Sequence, residues 1–146
     1  MKVVSIVGKS KSGKTTLIER LVPILIRKGL KVAVVKHAKM GFEIDREGKD
    51  SYRIFRSGAD VVIVSEEKLA FIKRVESDDI NQCLELLKGY DLILTEGFSK
   101  LRFPKIALDN GNYENVIAVV NELNDEVVER IADLIIKGVM NDRERS

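Results

Sequence analysis

The sequence predicts an α/β fold: a mostly parallel sheet with helices on both faces. Three observations predict it. Short, nearly continuous apolar runs rich in Val, Ile and Leu read as strands buried on both sides. Segments with apolar residues at helical spacing alternate with those runs. The first such unit reads strand, loop, helix, strand, which is the parallel βαβ arrangement with its right-handed crossover.

The elements follow in order. Lys2–Val7 is a buried strand ended by Gly8. Gly8–Lys14 is a loop of Gly, Ser and Lys. From Thr15 to about Lys28, Leu17, Ile18, Leu21 and Leu25 recur on one helical face, Pro23 kinks the helix, and Gly29 stops it. Lys31–Lys36 is the second strand. His37–Asp50 is polar and reads as an exposed loop, and Ser51–Ser57 as a short helix closed by Gly58. Val61–Ser65 and Leu69–Lys73 suggest a hairpin. Asp78–Lys88 is a helix in which Cys83, beside Leu84 and Leu87, is expected in the core. Asp91–Thr95 is a strongly apolar strand. Pro104–Leu108 and Val116–Val120 are further strands, separated by the turn-rich stretch Asp109–Asn115. Asp125–Lys137 is the last helix, with Val128, Ile131, Leu134 and Ile135 on its apolar face. The tail from about Asn141 is polar and expected to fray.

Composition narrows the function. The 146 residues make one ordinary domain, 1–146, large enough for a real core without a metal or disulfide staple. Lys and Arg number 25 against 23 Asp and Glu, a net charge of +2 that gives no electrostatic reason to expect a nucleic acid partner. A single cysteine, Cys83, excludes an intrachain disulfide, and a single histidine, His37, argues against a multi-His metal site. No apolar run approaches the ~18 residues of a membrane span. A single Lys at the head of a short apolar strand, followed by polar residues, does not read as a signal peptide. The expected setting is the reducing cytoplasm.

The loop carries the chemistry. Gly8-Lys9-Ser10-Lys11-Ser12-Gly13-Lys14-Thr15 fits G-x-x-x-x-G-K-[ST]. A chance match in a chain this long arises roughly once in a few hundred sequences, and a strand precedes the loop while a helix follows it. Glycines let the backbone curl so that successive N–H groups converge on phosphate oxygens. The helix start adds partial positive charge. Lys14 reaches the β and γ phosphates, and Thr15 is placed to ligate Mg²⁺. The fold class is thus a P-loop nucleoside triphosphatase domain. Ligands of open parallel sheets sit at the carboxyl ends of the strands. Asp91 begins its strand and falls at the wrong edge. Glu96 follows the carboxyl end, with Gly97 allowing close backbone approach, so Glu96 is the candidate acid near Mg²⁺. Lys9 and Lys11 are either solvated turn lysines or cations that reach a partner subunit's nucleotide, since one dimeric branch of P-loop proteins carries such a lysine at the place of Lys9.

A second set of residues carries a family resemblance. Lys36-His37 ends the second strand. It is followed by Phe42-Glu43-Ile44-Asp45, Gly48-Lys49-Asp50-Ser51 and Gly58-Ala59. Together with GKSKSGKTT (Gly8–Thr16), DLILTEGFSK (Asp91–Lys100) and Lys105–Leu108, these stretches resemble the molybdopterin-guanine dinucleotide biosynthesis protein B family (MobB). The resemblance implies a GTP-binding accessory protein of molybdenum-cofactor assembly, a homodimer with weak GTP hydrolysis. It would assist the guanylyltransferase (MobA) that attaches GMP to molybdopterin. The family often carries a further His and an Asp-x-Asp pair after Lys-His. Here Met40 and Gly41 stand in that stretch and Glu43-Ile44-Asp45 replaces the pair. Asp45 is a candidate for Mg²⁺ or water positioning, or else a solvated loop carboxylate. His37 either donates to a phosphate or a pterin, or packs on its own loop. Lys49, Asp50 and Arg53 form an anion-and-carboxylate patch or begin a solvated helix. Asn121, Glu122 or Asp125 are candidates for base contact, Asp125 equally for the cap of the last helix. The alternatives in other classes are a small P-loop kinase and a nucleotide-gated interaction module using ATP or GTP. A metal-delivery GTPase would need a Cys/His cluster that one Cys and one His cannot make.

Overall fold

The computed structural model describes residues 2–44 and 49–145. The chain runs β1 (Lys2–Val7), α1 (Lys14–Arg27), β2 (Val32–Lys36), α2 (Asp50–Ser57), β3 (Val61–Val64), β4 (Leu69–Ile72), α3 (Ile80–Leu86), β5 (Leu92–Glu96), β6 (Lys105–Ala107), β7 (Val116–Val119) and α4 (Asp125–Arg145). It divides into two compact units. One comprises 1–37 with 80–146, the other 38–79.

The first unit is built on a five-stranded sheet in the order β2-β5-β1-β6-β7, every pair parallel. Side chains alternate across it. Val4, Ile6, Leu92, Leu94 and Ile106 form one face and are buried. Against that face lie Leu17, Leu21, Ile24 and Leu25 of α1 with Val128, Ile131, Ile135 and Val139 of α4, and the two helices pack on each other. The i, i+4, i+7, i+8 spacing of the α1 residues is the amphipathic stripe expected of a helix on a sheet. Pro23 lies within α1 and removes one internal hydrogen bond. The opposite sheet face carries Ser5, Thr95 and Lys105, all buried. The Thr95 hydroxyl donates to Ser5 Oγ at 2.8 Å. The Lys105 ammonium donates to the carbonyls of Leu101, Phe103 and Glu114. Loop residues therefore supply the acceptors that a buried cation requires.

Three expectations are corrected. The polar residues after Asn141 do not leave the last helix; α4 continues through Arg145. Val139 is buried, and Arg143 pairs with Asp91 ahead of β5, so the final turns are held by the sheet. Asp125 is not the cap of that helix. Asn124 is, its Oδ1 accepting from Val127 N–H at 2.9 Å, while Asp125 pairs with Arg20 of α1. Cys83 is half-buried, not in the core.

The second unit holds α2 and an antiparallel hairpin of β3 and β4, paired Val61 to Ile72 through Val64 to Leu69. Arg74 ties the unit together. It donates to the carbonyls of Ala59 and Phe55, stacks its guanidinium 3.9 Å from the Phe55 ring centroid, and donates its backbone N–H to the Asp60 carboxylate. Val62, Val64, Leu69 and Phe71 on the hairpin are exposed.

Asp91 sits at the amino edge of β5, where Lys31 N–H donates to its carboxylate at 2.6 Å. That bond, with the Arg143 guanidinium, holds its pKa below the usual aspartate range. The folded chain therefore releases this proton more readily than the unfolded one. The stabilisation is complete above the ordinary aspartate value of about 3.9 and is lost as pH falls through the lower folded value. Asp91→Asn should cost about 1–2 kcal/mol at pH 7 and reduce the slope of stability against pH in the acid range. Urea unfolding at a series of pH values measures both; an unchanged slope contradicts this role.

Candidate functional site

The carboxyl ends of β1 and β5 lie side by side, Ile6 opposite Glu96. The loop that leaves β1 must therefore turn over the end of β5. Its backbone does so through unusual conformations, with Lys11 at φ 62° and Gly13 at φ 101°. Gly13 is the residue before α1 and has no side chain to cap it. The first N–H groups of α1 thus face the loop without a side-chain acceptor, which is the electrostatic arrangement that accepts an anion. Gly8 is required for space. A Cβ there would lie 2.5 Å from Ser12 Oγ and 3.4 Å from Leu108 Cβ.

Ser10, Lys11, Ser12, Gly13, Lys14, Thr15, Thr16 and Glu96 line one hollow of about 340 Å³. Lys14 Nζ donates to Gly8 O at 2.7 Å across the mouth of the loop, with Lys9 O at 3.4 Å. Lys9 O also accepts Ser12 N–H at 3.2 Å. Thr15 Oγ1 donates to Glu96 Oε1 at 3.1 Å. Ser12 Oγ is buried, with no hydrogen-bond partner in the protein. An uncapped helix start, a lysine, a hydroxyl and a carboxylate fit a triphosphate with Mg²⁺, and an unpartnered hydroxyl is in keeping with a polar ligand. Among the described residues no group of three His, Cys, Asp or Glu side chains is placed to hold a metal. Thr15 and Glu96 are oxygen donors that would suit Mg²⁺, which commonly takes few protein ligands and fills the rest with phosphate and water.

The other predicted residues fall as follows. Gly8 and Lys9 form the first limb of the loop. His37 and Gly97 lie on neighbouring strand ends. His37 N–H donates to Glu96 O at 2.9 Å, and its ring stacks on Phe98 with centroids 4.3 Å apart. Gly97 has φ 95°, and a Cβ there would stand 3.1 Å from His37 Cβ. The His–Phe stack thus seats directly on the residue after Glu96. Asp45 lies outside the described residues. Lys49, Asp50 and Arg53 belong to the second unit, in α2 and just before it. In the 121–125 stretch, the cap of Asn124 and the ion pair of Asp125 leave Asn121 and Glu122 exposed and without a structural role on view.

Sequence reasoning passed over two residues. Asp109 follows β6, and its carboxylate accepts Lys9 N–H at 2.8 Å, Gly111 N–H at 3.0 Å and the Tyr113 hydroxyl at 2.8 Å. The backbone donors of Gly111 and Lys9 hold its pKa below the usual range. Burial, with Asp109 as acceptor, pushes the Tyr113 phenol up. The available signal was an acid directly after a strand in a parallel sheet, the same signal that singled out Glu96. The other residue is Lys105, whose pKa burial lowers while the nearby Glu114 carboxylate opposes the shift.

Known proteins extend this picture. A family model described as molybdopterin guanine dinucleotide synthesis protein B matches residues 3–133. The molybdopterin-guanine dinucleotide biosynthesis adapter protein of Haemophilus influenzae is 35% identical over 125 residues, covering 82% of this chain and 70% of its own length. A putative adapter protein of that name from Methanocaldococcus jannaschii is 36% identical over 115 residues, 74% of this chain but 47% of that relative. The chain thus spans about half of the archaeal protein. A crystal structure described as molybdopterin-guanine biosynthesis protein B matches with a TM-score of 0.77 at 42% identity, over 94% of this chain and 99% of that one. Among the described residues no helix is long and apolar enough to cross a membrane.

Proposed function

The chain belongs to the molybdopterin guanine dinucleotide synthesis protein B family, and from that premise we propose a GTP-binding adapter of molybdopterin-guanine dinucleotide biosynthesis. In this reading it binds GTP with Mg²⁺, hydrolyses it slowly, and serves the guanylyltransferase that joins GMP to molybdopterin. The observation that carries the nucleotide part is the 3.1 Å bond between Thr15 and Glu96 at the head of the Gly8–Thr15 loop. A hydroxyl and a carboxylate from residues 81 apart in sequence meet where the β and γ phosphates would lie. Mg²⁺ supplies charge neutralisation at those phosphates. Lys14 exchanges its bond to Gly8 O for phosphate oxygen, and the amides of Gly13 to Thr16 orient the chain of phosphates. Guanine selection is inferred from the family.

Equilibrium binding of Mg·GTP and Mg·ATP analogues tests the reading, with Glu96→Ala as the paired variant. The expected result is a strong preference for GTP. Glu96→Ala should weaken Mg²⁺-dependent binding about tenfold while leaving metal-free binding nearly unchanged. Equal affinity for both nucleotides, or a preference for ATP, moves the assignment to a small kinase or a general nucleotide-gated module.

A homodimer belongs to the same reading. It is supported by the exposed apolar residues of the β3–β4 hairpin, because a lone two-stranded hairpin is marginally stable and a contiguous apolar patch signals a contact surface. Sedimentation equilibrium should show a dimer in the wild-type chain and a shift to monomer in Val64→Glu with Leu69→Lys. A wild-type monomer at all concentrations would count against it.

A further inference from the structure

We propose that Asp109 is a positioning residue of the phosphate loop, clamping it through the backbone of Lys9 into the shape that receives a nucleotide. The inference rests on the nucleotide-binding reading above. Lys9 is the hub of the loop. Its carbonyl accepts Ser12 N–H, and Lys14 Nζ lies 3.4 Å from it. Its N–H is held at 2.8 Å by Asp109 Oδ2. That N–H shares its peptide plane with Gly8 C=O, the carbonyl that accepts Lys14 Nζ at 2.7 Å, so a carboxylate from outside the loop fixes the direction of the carbonyl on which Lys14 rests.

The two carboxylate oxygens have separate tasks. Oδ2 takes the loop amide, while Oδ1 takes Gly111 N–H and the Tyr113 hydroxyl, which fix the 109–113 turn. The turn is anchored in its own right. Lys105 Nζ donates to Glu114 O at 2.9 Å, Lys105 N–H donates to Asn115 O at 2.9 Å, and Asn115 Nδ2 donates to Arg102 O at 3.0 Å. A carboxylate mounted on so well-tied a turn is a rigid reference point. The same Lys105 ammonium also grips Leu101 and Phe103 in the segment that follows Glu96. One buried cation therefore braces both the segment after the Mg²⁺-side acid and the turn that holds the phosphate loop.

Asp109→Asn separates the two tasks, because an amide keeps one acceptor oxygen and turns a donor toward the other side. With the oxygen retained for Gly111 and Tyr113, the amide nitrogen faces the Lys9 N–H, donor against donor. The expected result is about tenfold weaker binding of the Mg·GTP analogue, with faster hydrogen exchange at the Lys9 amide and unchanged exchange at Gly111 and in β5. Tyr113→Phe leaves both oxygens to the backbone amides, and should bind within about threefold of wild type. Equal affinity in Asp109→Asn and wild type overturns the proposal, as does a loss in Tyr113→Phe as large as that in Asp109→Asn. A wild-type chain that binds neither GTP nor ATP analogue overturns the nucleotide-binding reading itself. Exchange in the wild-type complex gives a check that needs no variant. The Lys9 amide should stay protected with nucleotide bound, and exchange at the unprotected rate in that complex overturns the clamp.

Discussion

Lys14→Ala should abolish useful nucleotide binding, weakening the Mg·GTP analogue by about a hundredfold or more, about 2.7 kcal/mol. The reason lies in what the ammonium does in each state. In the chain alone, Lys14 Nζ rests on Gly8 O at 2.7 Å, an exchangeable contact at the mouth of the loop. In the proposed complex the same nitrogen would make a charge-assisted bond to an anion held at a helix start, where neighbouring amides would strengthen it. Truncation removes that bond and leaves phosphate charge uncompensated. The folded chain loses little, because the resting bonds are few, so thermal stability should fall by about 1 kcal/mol or less. Titration calorimetry with a melting curve on the same sample separates the two. In a strain whose own copy is deleted, Lys14→Ala should also fail to restore the dinucleotide cofactor. A variant that binds no nucleotide yet restores assembly would sink the GTP-dependent adapter and leave a nucleotide-independent one.

The largest expected effect on stability is at Lys105. Its side chain is fully buried, and its three ammonium hydrogens meet three carbonyls, those of Leu101, Phe103 and Glu114. Donor count and acceptor count match. Lys105→Met keeps the length and the apolar stem but leaves those carbonyls turned toward a thioether. Unsatisfied buried acceptors are costly, so the variant should lose about 3 kcal/mol, roughly 6–12 °C in Tm for a domain of this size. Chemical denaturation at neutral pH measures it. A loss under about 0.5 kcal/mol, the range of an ordinary surface substitution, would show that the three carbonyls find water instead. Because Lys105 braces the turn that carries Asp109, Lys105→Met should also speed exchange at the Lys9 amide, 96 positions away in sequence.

Much of the first unit was legible from local pattern. The apolar runs of β1 and β5 and the one-sided stripe of α1 are properties of neighbours in sequence, and they are found within a residue or two of where the pattern puts them. The pairing of Thr15 with Glu96 was legible for a different reason. Direction along a parallel strand decides which end of the run Asp91-Leu-Ile-Leu-Thr-Glu96 faces the loop, and only Glu96 stands at that end. The end of α4 was obscured by Gly138 and the polar residues after it, since the ion pair of Arg143 with Asp91 depends on a partner 52 positions earlier. Asp109 and Lys105 were hidden by the same kind of dependence. A lysine between Pro104 and Ile106 reads as one alternating strand position. Its burial follows from three loop carbonyls whose directions no local pattern encodes.

The strand order has a consequence for how the chain comes into being. β1 is flanked by β5 and β6, and β2 by β5, so neither of the first two strands pairs with the other. Ser5 must wait for Thr95 and Lys105. During synthesis β1, α1 and β2 leave the ribosome with apolar surface and unpaired edges; both strands wait for residues 92–96, and the other edge of β1 for 105–107. Non-local pairing of this kind makes folding slow, because the closure entropy of a long loop precedes any reward in contacts. Exposed edges over that interval are the usual origin of misassembly and of demand for chaperones. The phosphate loop, translated well before β5 and β6, thus acquires its shape only after them.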